Sequence, residues 1–150
     1  MGADETARQV ASTMLAREGT GPFWGVEIEE AGEGYARIRM VLRSDMLNGH
    51  GIAHGGMLFA LADTAFAYAC NSRNVKNVAA QASIVFLDAA REGETLIAEA
   101  REQAVAGRAG VYAVSVRGEA GRAIAEFQGY SRSLGGPVIE SGLIKEDIND

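Results

Sequence analysis

One cysteine, two prolines, two histidines and one tryptophan occur in 150 residues. The lone Cys70 excludes an internal disulfide framework and fits a reducing compartment. Basic runs are also missing: 14 Lys and Arg face 20 Asp and Glu, for a net charge of −6. That balance excludes broad nucleic-acid binding, although a few local arginines would suffice for a small anionic ligand. The first residues, Met-Gly-Ala-Asp-Glu-Thr, lack the basic-then-apolar order of a secretory leader. No apolar run reaches the roughly 20 residues needed to cross a bilayer. The stretch from Met57 to Cys70 comes nearest, and Asp63 interrupts it. The expectation is a soluble cytoplasmic protein with neither nucleic acid nor membrane as partner. Its length predicts a single domain over 1–150 with a proper core.

Ala7, Val10, Ala11, Met14 and Leu15 repeat at helical spacing, which predicts a helix over residues 3–17. Gly19 and Gly21-Pro22 are expected to end it, with a strand from Trp24 to Glu30. A Gly-containing turn then leads to a second strand, Tyr35 to Leu42, where apolar and basic residues alternate. Residues 44–56 read as loop. Beyond the apolar helix, four strand-like runs follow: Val78–Leu87, Thr95–Val105, Val111–Arg117 and Ala123–Arg132. The tail from 137 to 150 is polar and expected to fray. A helix apolar on every side, followed by an antiparallel meander, suggests an α+β fold with a sheet wrapped around one long helix. The free edges of such a sheet favour pairing with another subunit.

The oddity is Asp63, in the middle of that helix. A carboxylate there costs several kcal/mol to desolvate unless it is paired, and folding alone gives no reason for it. Asp63 is therefore the first functional candidate. Gly55 and Gly56 stand where the helix begins, where backbone N–H groups lack partners and a ligand can approach closely. Asn48 precedes Gly49 in the loop, His54 adjoins the helix start and Thr64 neighbours Asp63. His50 and His54 are four residues apart, but Gly51 intervenes and further ligands are lacking, so no metal site is expected.

The segments Met46-Leu47-Asn48-Gly49-His50, His54-Gly55-Gly56 and Leu61-Ala62-Asp63-Thr64-Ala65-Phe66-Ala67-Tyr68-Ala69-Cys70-Asn71-Ser72 closely resemble the phenylacetate-degradation (PaaI-type) acyl-CoA thioesterases of the hotdog fold. The resemblance also takes in Tyr35–Val41, Val78–Leu87 and Arg132–Gly136. It implies hydrolysis of an aryl-acyl-CoA such as phenylacetyl-CoA or hydroxyphenylacetyl-CoA, without metal or redox cofactor, coenzyme A being part of the substrate. It also implies a site shared across a dimer, often within a tetramer. Asp63 would be general base or nucleophile. Gly55, and less directly Gly56, would polarise the carbonyl. Asn48 would hold the carbonyl or the water. For His54 three roles stay open: orienting the oxyanion loop, helping to hold the thioester, or merely capping the helix start. Thr64 is expected to hydrogen-bond Asp63 or line the acyl pocket, and Ser83 to hydrogen-bond the attacking water. Asp63 lies eight residues beyond Gly55, about 12 Å along one helix, so the two cannot act on one carbonyl within a subunit. A two-fold interface would bring one copy's Gly55 to the other's Asp63. One departure stands out: relatives often carry Phe-Leu-Arg-Pro where this chain has Phe86-Leu87-Asp88-Ala89, leaving Arg91, Arg108 and Arg132 as candidates for coenzyme A phosphates. Two rival classes stay open, a hotdog hydroxyacyl-thioester dehydratase using His54 with Asp63, and a non-catalytic acyl-CoA-binding protein.

Overall fold

The computed structural model describes residues 2–140. Most of the tail expected to fray, residues 141–150, lies outside the described residues. The first helix, α1, spans Ala3–Arg17 as the periodicity predicts. The Gly-Pro segment that follows departs from expectation. It forms a short helix, α2 (Thr20–Trp24), instead of ending in a turn and leading directly to a strand. Pro22 is tolerated because the first turn of a helix has no use for its missing N–H. Gly25, at φ 71°, then closes the turn in the left-handed conformation that glycine adopts without strain.

Six antiparallel strands follow: β1 (Glu27–Gly32), β2 (Tyr35–Val41), β3 (Asn77–Phe86), β4 (Thr95–Ala106), β5 (Ala109–Gly118) and β6 (Ala123–Ser133). They form one sheet in the order β1-β2-β4-β5-β6-β3. The long helix α3 (Gly55–Cys70) is inserted between β2 and β3 and packs against all six strands. This is the hotdog fold. β4 is a strand despite its Ala and Glu content, because Leu96, Ala98 and Ala100 alternate into the core. On β6, Gly129 leaves room for the helix: a Cβ there would stand 2.8 Å from Phe66 Cε2. Phe66 in turn packs edge-on against Tyr112 at 5.4 Å between ring centroids, and Phe59 against Phe127 at 5.3 Å.

The helix is not buried on every side. Leu58, Leu61, Ala62, Ala65, Phe66 and Ala69 are buried against the sheet. Ala60, Asp63, Thr64 and Ala67 are only half-buried, with exposed Gly56 one turn before them. Their spacing makes one continuous stripe along the helix. The far end of α3 is tied to the start of β3 by Asn71, whose Oδ1 accepts from Asn77 N–H at 2.8 Å and whose Nδ2 donates to Ala67 O at 2.8 Å.

Candidate active site

The loop before α3 is tied to its surroundings by the backbone. Ala53 N–H donates to Ala90 O at 2.8 Å, which clamps the helix start to the segment after β3, and His54 N–H donates to Met46 O at 2.9 Å, which closes the loop between β2 and α3 on itself. Asn48 is the knot of this loop. Its Oδ1 accepts from His50 N–H at 2.8 Å and Ile52 N–H at 3.3 Å, while Asn48 N–H donates to Ile52 O. These two donors fix which side of the amide is oxygen. The Nδ2 group makes no hydrogen bond among the described residues, so Asn48 has a donor, not an acceptor, left to offer.

His54 is the N-cap of α3, and its Nδ1 accepts from Gly56 N–H at 2.9 Å. This corrects the expectation for Gly56, whose N–H is already committed to the cap and cannot also hold a carbonyl. Met57 and Leu58 N–H both donate to His54 O. Among the described residues, Gly55 N–H is the donor left free at the positive end of the helix. It opens, with Asn48, onto a cavity of about 370 Å³ also lined by Ile52, Leu58, Phe86 and Asp88. Phe86 was not among the residues expected here, yet its ring tip stands where a side chain on Gly55 would go: a Cβ at 55 would lie 3.0 Å from Phe86 Cζ.

Asp63 lies outside that cavity, on the half-open stripe of α3. No hydrogen bond or ion pair reaches its carboxylate among the described residues. Burial alone raises its pKa above the ordinary carboxylate value. It is thus a half-buried, unpaired carboxylate, the kind of group that marks a functional site. Thr64 beside it does not serve it as donor, since Oγ1 donates to Ala60 O at 2.7 Å.

Ser83 is not brought to these residues within the protomer. The pairing of β3 with β6 slips between Ala79 and Gln81, so that Ala82 faces Gly129 and Ser83 faces Gln128. Ala82 and Ile84 pack on the core, and Ser83 between them points away from α3. Where the resemblance led to the expectation of Arg-Pro, the segment after β3 has Asp88 and Ala89, and its own cation, Arg91, is exposed with no side-chain partner among the described residues. Asp88 pairs with Arg122 at 3.4 Å, and Arg122 also donates to Ala89 O and Glu94. Arg108 lines a different cleft, together with Arg73 and Tyr112. Burial pushes the Cys70 thiol up to about 12, which leaves it an inert apolar filler at neutral pH. Among the described residues no three His, Cys, Asp or Glu side chains come together as a metal site would require.

A long helix cradled by one antiparallel sheet, with a free N–H at its start and an unpaired carboxylate along its open stripe, defines a hotdog-fold hydrolase of thioesters. Comparison with known proteins gives the family. The thioesterase superfamily model matches residues 50–125. Over 132 residues the chain is 39% identical to the acyl-coenzyme A thioesterase PaaI of Escherichia coli K12, covering 88% of this chain and 94% of that protein. The structure of E. coli PaaI, from the phenylacetic acid degradation operon, superposes with a TM-score of 0.89 at 38% identity, covering 91% of this chain and 99% of the other. A point mutant of the phenylacetic acid degradation protein PaaI from Thermus thermophilus superposes with a TM-score of 0.75 at 33% identity, covering 78% and 100% respectively. A hypothetical thioesterase protein of Streptococcus pneumoniae TIGR4, solved with coenzyme A, gives 0.72 at 25% identity, with 75% and 88% covered. The chain belongs to the thioesterase superfamily and is a thioester hydrolase.

Proposed function

We propose that the enzyme hydrolyses aryl-acyl-CoA thioesters of the phenylacetyl or hydroxyphenylacetyl type to the free acid and coenzyme A, in the cytoplasm. The site is composite. Gly55 N–H and Asn48 Nδ2–H of one subunit receive the carbonyl oxygen, and Asp63 of a second subunit takes the proton of the attacking water. The tetrahedral oxyanion gathers charge at the two donors, then collapses and expels the thiolate of coenzyme A. No step calls for a metal or redox cofactor.

The observation that carries this reading is the pairing of a free Gly55 N–H with an unpaired, half-buried Asp63 too far along the same helix to share its carbonyl. The 39% identity to an acyl-coenzyme A thioesterase supports the choice of substrate class. The open β3 edge and the half-open stripe of α3 support a homodimer at minimum, with a tetramer as the family resemblance implies. Within this scheme Gly56 acts through the cap on His54, not as a donor to substrate, and His54 through holding that cap.

The test is thiol release from a panel of acyl-CoA esters. Asp63→Asn should lower kcat by about 1,000-fold while the protein stays folded. Near-wild-type turnover by folded Asp63→Asn would sink the assignment. Water elimination from a 3-hydroxyacyl-CoA, without thiol release, would favour the dehydratase class instead. Tight acyl-CoA binding without turnover, unchanged in Asp63→Asn, would favour a binding protein. Asp63 could also attack the carbonyl itself to form a mixed anhydride; if water then opens it at the Asp63 carbonyl, a single turnover in heavy-oxygen water leaves the label on Asp63 and none in the product acid.

A further inference from the structure

We infer that Phe86 is a positioning residue of the oxyanion site, the apolar wall that keeps water from the Gly55 N–H and fixes how the thioester lies against it. The inference rests on the thioesterase reading and extends it to a residue that reading does not use.

Three observations carry it. The first is contact. A Cβ on Gly55 would meet Phe86 Cζ at 3.0 Å, Cε1 at 3.4 Å and Cε2 at 3.5 Å, so the tip of the ring is aimed at the Gly55 Cα. The second is that the contact is held from both sides. Phe86 pairs with buried Ala125, which turns its side chain toward the helix. Leu87 N–H donates to Ile124 O at 2.8 Å just beyond it, and Ala53 N–H donates to Ala90 O at 2.8 Å just before Gly55. The third is that the ring is not simply core. Phe86 is 53% exposed and lines the cavity onto which Gly55 and Asn48 open. A large apolar side chain left that open at a strand end contributes little to folding that a smaller residue would not.

Its place beside the donor gives the ring a chemical consequence. A hydrogen bond to a developing oxyanion strengthens as water is displaced from around it, because the local dielectric falls. A ring against Gly55 removes one side of that hydration and costs no polar group its partner. The same contact makes residue 55 sensitive to size: a Cβ there would push the ring tip back by a few tenths of an ångström from the donor.

The experiment is a kinetic double-mutant cycle on the full-length enzyme. It uses Phe86→Ala, Gly55→Ala and the double variant, with Phe86→Leu as the conservative control. Thiol release from phenylacetyl-CoA gives kcat and KM, and a thermal melt reports folding. Phe86→Ala should lower kcat by about tenfold with KM changed by less than about threefold, a partial version of losing the donor itself. Phe86→Leu should recover most of that loss. Gly55→Ala should cost a similar factor in the wild-type background but less than about twofold beside Phe86→Ala, since the clash is then gone. Unchanged kcat in Phe86→Ala, or strictly additive losses, would overturn the inference. A loss of kcat in Phe86→Ala that merely tracks the melted fraction, or a folded Phe86→Leu variant whose kcat is no better than that of Phe86→Ala, would do the same. A wild-type enzyme that releases no thiol from any acyl-CoA would overturn the thioesterase reading and this inference with it, whereas an active wild type with unaffected variants removes only the role of Phe86.

Discussion

The two edges of the sheet are built in opposite ways. The β1 edge is six residues long, carries Glu27, Glu29 and Glu30, and is bulged between Ile28 and Glu30. α1 packs over it, and Asp4 Oδ1 accepts from Glu33 N–H at 3.0 Å just past its end. Short length, charge, a bulge and a covering helix are the devices by which proteins keep an edge from pairing. The β3 edge has none of that charge. Its ten residues, Asn-Val-Ala-Ala-Gln-Ala-Ser-Ile-Val-Phe, contain no ionisable group, and Val78, Val85 and Phe86 stand exposed at its two ends, with exposed Leu87 just beyond. One edge is closed against partners and the other is left ready for one. The half-open stripe of α3 that carries Asp63 is the second surface in want of a cover, and a second copy would supply both needs.

The comparison breaks most readily if the β3 edge is charged. Val78→Lys with Val85→Lys puts two cations on an edge that has none, and like charges then face one another across any two-fold pairing. The expected outcome is a monomer by light scattering and a loss of activity on the order of 1,000-fold, equal to losing the base altogether. A monomer retaining full activity would separate the edge from the site. A second experiment sharpens the link. Gly55 is the first residue of α3 and His54 before it is extended at ψ 133°, so Gly55→Pro is compatible with the helix while deleting the N–H. Alone it should cost about 100- to 1,000-fold in kcat. Mixed with Asp63→Asn after co-refolding, it should regain about a quarter of wild-type activity, because half of the random dimers then contain one intact composite site out of two. No recovery on mixing would place donor and base in the same subunit.

Much of this was readable in the chain. The apolar run with Asp63 inside it predicted the central helix, and alternation in residues 36–42 together with strand-like runs set between glycine turns predicted six strands in order, with boundaries off by at most three residues. The proposal of a composite site rests on spacing and resemblance together. What could not be read depended on single hydrogen bonds and single inserted residues. That His54 caps α3 was one of the roles left open for it, but the sequence could not choose it, because Ser, Thr, Asp and Asn are the usual caps, and so Gly56 looked free when it is not. Ser83 looked like a site residue, but the extra residue at Ala80 shifts the phase of β3. Alternation carried unbroken from Asn77 would have turned Ser83 inward, and one added residue turns it out. The role of Phe86 depends on its contact with Gly55, a residue far from it in sequence, which no local pattern encodes.

A smaller effect separates catalysis from stability at Asp63. Burial raises its folded pKa above the value in the unfolded chain. Below the unfolded pKa both states hold the proton and there is no cost. As pH rises through the folded pKa, the folded state must ionise a desolvated carboxyl, and stability is lost. Two results follow. The acid limb of kcat/KM should lie above the pH at which an exposed aspartate titrates, since the base works only when ionised. Asp63→Asn should melt at the same temperature as wild type or higher at pH 7, and the difference should vanish at low pH. A variant that melts lower at pH 7 would mean that the carboxylate holds the fold through a partner, and the functional argument for it would fail.

The smallest effect belongs to the closed edge. Glu27→Lys changes the charge of β1 at an exposed position on a short strand already covered by α1. Surface substitutions of this kind shift stability by less than about 0.5 kcal/mol. Native mass and thiol release should both stay within error of wild type. This matched control decides what the β3 experiment means. If one lysine on β1 dissociates the oligomer as two on β3 do, then net charge and not the identity of the edge governs assembly. If β1 is indifferent, the contrast between the edges is a property of the strands themselves, and the uncharged face of β3 is the surface on which the active site is completed.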